Sequence, residues 1–410
     1  MNQASADILI IGAGASALAC AAELAPKAKE QNKKIILLEA QKVCARKILI
    51  SGNGRCNFTN AAAAPSKYYG DKKFITEILK QFPPTACLKF FDKIGLKYIS
   101  ENGRYFPIAG KASAVKECFL NWLENYGVKI LENQTATEIK RQSNLWEIKT
   151  QDTVYTTKFL VLACGSKAYP QAGGTELGYT LARQAGHKIN MPRPALFGFD
   201  LMEKKALIRI AGIKMQADVW LEKYPQSKQT DEILFTTRGV NGNNILTLSR
   251  QVQGGDKIFI DFLPQFTTKD LHKYLTERAS SYPNLKTKAL LSGILPDSLI
   301  NLLIDFAHLR KNNKLIELNP SNFAKIEETL KAWPFTVAGI RPFEEAYSAA
   351  GGVLTSEIEA KTLRSKCAEN LFIIGELLDI DAYCGGFSLH FAFATGALAA
   401  KSIGENLCRT

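Results

Sequence analysis

The hydrophobic pattern begins with a short apolar run after Asp7, Ile8-Leu9-Ile10-Ile11, whose β-branched residues predict a buried strand. The chain then turns through Gly12-Ala13-Gly14-Ala15-Ser16-Ala17, continues as an Ala/Leu-rich helix to about Ala25, and returns to a second apolar run, residues 34–38, that ends on Glu39. A third run, Phe159-Leu160-Val161-Leu162-Ala163, ends at Cys164-Gly165. A fourth, Leu371-Phe372-Ile373-Ile374, ends at Gly375-Glu376, and Gly385-Gly386-Phe387-Ser388 then opens a long Ala-rich helix to about Ile403. Fully apolar runs of this length suit the buried strands of a mainly parallel α/β sheet.

Between these runs the periodicity alternates. Residues 74–95 read as helical with a break at Pro83-Pro84, and residues 112–126 put Val115, Cys118, Phe119, Trp122 and Leu123 on one face. Residues 129–131, 137–140, 146–150 and 154–157 read as short strands. A helix after Gly173-Gly174 runs to Gly186-His187, where His187 reads as a residue of the helix C-cap, with a catalytic role as the alternative. At Pro192-Arg193-Pro194 the character changes. Residues 197–221 and 232–248 alternate like strands, 258–262 is a further strand, 268–332 is helical, and 335–340 is a returning strand. The pattern predicts an α/β chain interrupted by an inserted module, β first and helical second.

Strand, glycine turn, helix, strand and acid is the order of a dinucleotide-binding unit. Gly12 permits the tight turn, Gly14 lets the backbone approach a pyrophosphate, and Ala17 lets helix and strand pack closely. The helix start at Gly14, Ala15 and Ser16 offers N–H groups and a positive dipole end. Glu39, at the tip of the second strand, suits a ribose with a free 2′-hydroxyl. The terminal unit suits the other half of FAD. Glu376 would hold a ribityl hydroxyl, the helix start at Gly385, Gly386, Phe387 and Ser388 would stabilise charge on a reduced flavin, and the Gly165 tip would cover the adenosine side. Two such units at the two ends favour FAD over NAD as the resident cofactor. The long polar loop 42–60, with Ser51-Gly52-Asn53-Gly54-Arg55-Cys56-Asn57, reads as functional, and Arg46, Lys47 and Arg55 would neutralise phosphate.

Composition is that of an ordinary globular protein, with 46% apolar and 22% charged residues in 410. No basic n-region precedes the first apolar run and no other run is long enough to span a bilayer, which predicts a cytoplasmic protein with no membrane partner. Nine cysteines without a CxxC pair predict reduced thiols, and four scattered histidines predict no zinc site. The net charge of +13 is uneven, because residues 27–111 hold 17 Lys+Arg against 6 Asp+Glu, a net of +11. A basic sector of this kind suggests a polyanionic partner.

The chain resembles the BaiN/RdsA family of FAD-dependent oxidoreductases. The resemblance rests on Gly12 to Ala17, the Ser51-Gly-Asn-Gly-Arg-Cys-Asn57 loop, Gly103-Arg-Tyr-Phe-Pro107, Gly186-His187, Leu234-Phe-Thr236, Ala350-Gly-Gly-Val353, Gly375-Glu376 with Asp379, and Gly385-Gly386. It implies a discontinuous Rossmann-like FAD-binding domain over residues 1–192 and 344–410, an inserted β-barrel subdomain over 193–264 and 333–343, and a helical subdomain over 265–332. The chain departs from the family's usual motifs at Cys164 to Pro170, at Thr237 with Asn241-Gly242-Asn243, and at Phe387-Ser388-Leu389-His390. It further implies FAD contacts from Lys47, Gly54, Arg55, Cys56 and Asn57 beside the glycine positions. The family includes enzymes that reduce a uridine of 23S ribosomal RNA to dihydrouridine, with hydride passing to C6 of the uracil and an acid protonating C5. Cys56 is the first candidate acid and His390 the second. NAD(P)H would reduce the flavin by transient docking, since the chain holds one clear GxGxxG-type turn. The alternatives are a flavoenzyme acting on a small organic molecule and a non-enzymatic FAD-dependent sensor. Oligomeric state is not legible.

Overall fold

Ten residues of continuous strand form the centre of the fold: β1, Asn2–Ile11, fully buried over its last four positions. In this computed structural model, which describes residues 2–407, β1 lies parallel between β2 (Ile35–Leu38) and a strand whose last residue is Leu162. Outside β2 lies β3, Lys129–Leu131. On the other side β4 (Glu138–Gln142) and β5 (Leu145–Lys149) form an antiparallel hairpin against β6, Thr153–Leu162. The two short strands expected at 154–157 and 159–163 are thus one. The first half of β6 pairs with β5, its second half pairs in parallel with β7 (Leu371–Ile373) on the same edge, and β1 covers its other edge throughout.

Register decides where the chemistry gathers. Ile11 is level with Leu38 and with Leu162, and Leu162 is level with Ile373. The residues that follow these strands, Gly12, Glu39, Ala163 to Gly165, and Gly375-Glu376, therefore meet at one carboxyl edge, the place where open α/β sheets take ligands.

Two helices cross this sheet together. Helix α1 is Ala15–Glu30, longer than the sequence suggests because Pro26 lies inside it. Proline lacks the N–H that would bond the carbonyl of Ala22, and the indole Nε1–H of Trp122 takes that carbonyl instead at 2.9 Å. Helix α2, Leu177–Gln184, follows β6, and helix α3, Phe387–Leu407, follows β7. Gly396 lets α3 approach α1, since a Cβ there would sit 2.3 Å from the carbonyl oxygen of Ser16. Phe58, Phe91, Phe119 and Phe393 fill the space beside α3, with ring centroids 4.5 to 6.0 Å apart.

The chain separates into two compact units, one running to Ala195 and resuming at Phe343, the other spanning Leu196–Pro342. The second unit is a closed antiparallel barrel in the order Phe199–Leu201, Gly239–Gly242, Tyr224–Phe235, Lys214–Leu221, Lys257–Asp261 and Trp333–Gly339. Helices Thr268–Ser281, Asp297–Phe306 and Pro320–Lys331 are inserted before its last strand. Lys331, at the end of the third, pairs with the buried carboxylate of Asp261 at 2.6 Å. Two segments read as strands contain helices, Lys204–Ile210 and Asn243–Leu248. In the first, Leu207 and Ile210 are buried at helical spacing; in the second, residues 244–248 are all buried, so no one-sided period marks them. Among the described residues no helix is long and apolar enough to cross a membrane.

Candidate active site

The glycine turn is built as its residue types require. Gly12 has φ +104°, and a Cβ there would lie 2.5 Å from the carbonyl oxygen of Ala163 on the neighbouring strand end. Its N–H donates to Leu38 O at 2.7 Å. Gly14 is the N-cap of α1, no side chain caps that helix, and a Cβ on Gly14 would meet nothing within 4 Å. Ala15 and Ser16 complete the helix start with no side-chain acceptor. The positive end of α1 is thus left to an anion approaching from outside the protein. Gly165, at φ +70°, is open in the same way.

Glu39 stands where the sequence places it, and it is half-buried. Its Oε2 accepts from Ala13 N at 2.8 Å and its Oε1 from Gln41 N at 2.9 Å. Burial raises its carboxyl above the usual range, opposed by those two N–H groups. Glu39 therefore ties the glycine turn to the strand tip, and any ribose contact would use the remaining lone pairs.

The 42–60 loop carries a short helix, Arg46–Ile50, and then a strained turn. Gly52, Asn53, Gly54 and Cys56 all have positive φ, from +55° to +79°. Three expected phosphate partners are engaged elsewhere. Arg55 makes a two-armed bond with Glu101, at 2.5 and 3.0 Å, and its guanidinium lies 4.2 Å from the Phe106 ring centre. Arg46 donates to Gln41 at 2.8 Å. Lys47 donates to Glu376 at 2.6 Å. Of the three, Lys47 alone meets the second motif, and it does so by binding a carboxylate.

That second motif is assembled across the length of the chain. Glu376, half-buried, accepts from Lys47 on one oxygen and from Ser348 Oγ at 2.5 Å on the other. Gly375 has φ +72°, and a Cβ there would lie 2.4 Å from Ser16 Oγ at the start of α1. Gly385 O accepts from Asn60 Nδ2 at 2.9 Å, and Phe387 O accepts from the Tyr68 hydroxyl at 3.2 Å. Gly386, φ +92°, rests on the loop, since a Cβ there would lie 2.7 Å from Asn57 Oδ1 and 3.0 Å from Thr59 O. Two buried oxygens near the start of α3 have no hydrogen-bond partner, Asn57 Oδ1 and Ser388 Oγ. Sequence reasoning missed Ser348, Asn60 and Tyr68, which only the pairing of distant segments brings to this place.

The two expected acids are both buried. Cys56 is fully buried, and burial pushes its thiol up to about 12. His390 is also fully buried. Its Nε2 faces the carbonyl of Phe82 at 3.1 Å, so that nitrogen carries the proton, and its Nδ1 accepts from the Thr59 hydroxyl at 2.8 Å. Burial holds the imidazole neutral, with its pKa lowered to about 4. Both ring nitrogens are used within the protein, and His390 fastens α3 to the loop. His187 does not cap α2 through its ring either; the ring is buried against Glu357 and Ser365.

An orphaned acceptor and hydroxyl at one helix start, an uncapped helix at the other, and an open glycine at the tip of β6 fit a dinucleotide lying along this edge. The fold and this edge define a Rossmann-type cofactor-binding protein. Residues 6–402 match the HI0933-like protein Rossmann domain, and the chain belongs to that family. It is similar to a 3-dehydro-bile acid Δ(4,6)-reductase of Clostridium scindens, 32% identical over 97% of this chain and 98% of that protein. It is also similar to a ribosomal RNA dihydrouridine synthase of Haemophilus influenzae, 29% identical over 98% of this chain and 99% of the other. Among solved structures, a 3-ketosteroid Δ4-(5α)-dehydrogenase of Rhodococcus jostii shares the fold, with a TM-score of 0.53 at 12% identity over 98% of this chain and 97% of that one. With such relatives across its full length, the protein is an enzyme of the oxidoreductase class.

Proposed function

We propose that the protein is an FAD-dependent reductase of a carbon–carbon double bond conjugated to a carbonyl, and that its substrate is a uridine of 23S ribosomal RNA. Both named relatives add hydrogen across a double bond, in a bile acid and in uracil. FAD, when bound, would supply the two-electron hydride chemistry. The chain's own residues do the rest. Gly12, Gly14, Ala15 and Ser16 present the open helix end to the pyrophosphate, and Glu39 fixes the turn beside the adenosine ribose. Glu376, held by Lys47 and Ser348, would hold the ribityl hydroxyls. Asn57 and Ser388, whose buried oxygens lack partners, would hold the flavin ring at the positive end of α3. His390 serves as a positioning residue that holds the loop on α3 through Thr59, and Cys56 packs within the loop against Ser51. NAD(P)H is the external reductant, docking in turn with the substrate.

The observation that favours RNA is the basic sector. Lys42, Lys73, Lys80, Lys89 and Lys111 are all exposed. Lys33, Lys47, Arg55, Lys93 and Lys97 are ion-paired and contribute less. A duplex or loop of RNA would be held by its phosphates, and the target base would leave its stack to react. The second reading, a small conjugated ketone as substrate, is favoured by the full-length similarity to the bile-acid reductase.

The test is an anaerobic incubation of the flavin-loaded protein and NAD(P)H with unmodified 23S rRNA or with a 3-keto-Δ4,6 steroid. Nucleosides and steroids are then read by mass spectrometry. A uridine that gains two hydrogens, with rate falling steeply as salt rises, supports the RNA reading. Reduction of the steroid alone replaces it with the second.

A further inference from the structure

A cluster of metal-binding side chains lies outside the cofactor edge. Helix α2 ends at Ala185 and Gly186, the latter at φ +89°, which turns the chain so that the ring of His187 points inward. The side chain of His187 is fully buried. Its Nδ1 lies 3.1 Å from Glu357 Oε2 and its Nε2 lies 2.7 Å from Ser365 Oγ. Glu357 closes the short turn Thr355–Glu357, and Lys366 N donates to Glu357 O at 2.9 Å, so Glu357 and Cys367 stand on the two arms of one hairpin. The thiol of Cys367 hydrogen-bonds the Glu357 carboxylate. The ligand atoms of His187, Glu357 and Cys367 all lie within 4.8 Å of one another.

We infer that His187, Glu357 and Cys367 form a binding site for a thiophilic divalent cation, zinc or its equivalent. Imidazole nitrogen, carboxylate oxygen and thiolate are the three donor types zinc takes, and three protein ligands leave the fourth tetrahedral position to water. Without metal, Glu357 holds both neighbours through protons. The cation replaces those bridges: the ring proton moves to Nε2, where Ser365 Oγ accepts it in place of one of its backbone N–H donors, and the thiol proton passes to solvent as sulfur binds. The Ser365 hydroxyl is thus the outer-shell oxygen that ligating histidines keep. Without metal it is fixed by accepting from Cys367 N at 3.0 Å and Ala368 N at 2.9 Å, and its own hydrogen points to His187 Nε2. Cys367 is exposed, which gives the ion its way in. The site joins the end of α2 to the hairpin that leads into β7, and it shares no residue with the cofactor edge.

The experiment uses the full-length protein, cleared of metal with a chelator and titrated with Zn²⁺ by calorimetry and with Co²⁺ by absorption. The expected result is one Zn²⁺ per chain, and a thiolate-to-cobalt charge-transfer band in the difference spectrum. Cys367→Ser, a change at an exposed position, abolishes that band and weakens Zn²⁺ by more than about 10-fold, and Ser365→Ala weakens it by about 10-fold. Melting of each metal-free variant at the wild-type temperature certifies its fold. No stoichiometric uptake by the wild type, or uptake equal in Cys367→Ser and Glu357→Gln, overturns the site and leaves the cluster a hydrogen-bonded tie.

Discussion

The two helix starts that face the cofactor edge are both opened by glycine, yet they are built by different means. At α1 the turn, the helix and the acid that braces it lie within the first 39 residues, and Gly12 is pressed against the backbone of β6. At α3 the support comes from residues more than 300 positions away: Asn57, Thr59, Asn60 and Tyr68. Gly386 is pressed against a side chain there as well as a carbonyl. A site clamped by backbone tolerates no compensating change, whereas one clamped by a side chain can be relieved by altering its partner.

The largest effect is expected at the first of these. Gly12→Ala places a Cβ against Ala163 O at a backbone conformation that L residues rarely adopt, and should cost more than about 3 kcal/mol and all bound flavin. Flavin absorbance of the purified protein and its denaturation midpoint measure both. Shortening Ala163 cannot help, because the obstacle is main chain. Retention of full flavin content would dismiss this account of the turn.

Next comes the tie between α3 and the loop. His390 has a folded pKa of about 4 against an unfolded value near 6.5. The unfolded chain therefore binds the proton first as pH falls, and the folded state loses stability from about pH 6.5 down to about 4. The full loss is about 3 kcal/mol below that window, and none is felt above it. Urea denaturation as a function of pH should show this slope, and His390→Gln should flatten it. An unchanged slope in the variant assigns the titration to another group.

Gly386→Ala should cost about 2 kcal/mol, through the approach to Asn57 and a positive φ. Here a second change should matter: in Asn57→Ala the added methyl loses its nearest obstacle, so the double variant should recover part of the loss. A double-mutant cycle in denaturant measures the coupling, and strict additivity would mean that Thr59 O alone sets the limit.

The smallest effect lies within α1. Trp122→Phe leaves the Ala22 carbonyl without the donor that replaces Pro26, at about 1 kcal/mol beyond any packing loss. Pro26→Ala restores an N–H at that position, so the same tryptophan change should cost less in its background. Equal costs in both backgrounds would show that water serves the carbonyl as well as the indole does.

Much of this was legible from local pattern. The run from Ile8 to Glu39 fixes its own strand, turn, helix and acid, because each piece answers to its near neighbours in the chain. The apolar runs ending at Gly165 and Gly375 likewise announce buried strands with glycine tips. What was misread was misread for want of partners. Pro26 looks like a stop until Trp122 arrives, and Glu101, the partner of Arg55, is nowhere visible in the loop motif. Residues 244–248 hide a helix because it is buried on all sides. Cys56 and His390 look like acids in a functional loop and helix, and only the tertiary structure shows that both are buried.

The sequence by itself determined the βαβ unit, the four strand tips and the chemical character of the loop, since short-range periodicity and glycine geometry act over a few residues. The tertiary structure decided which tips share an edge, what Lys47, Glu39 and Glu376 bind, and which histidines are spent on the core. It also drew His187, Glu357 and Cys367 to within 4.8 Å of one another, although no metal-ligand spacing links them in the chain. The physical reason is the same in each case: a side chain's protonation, partners and reach depend on burial and on atoms far away in sequence, and those are set only when the sheet register and the helix packing are complete.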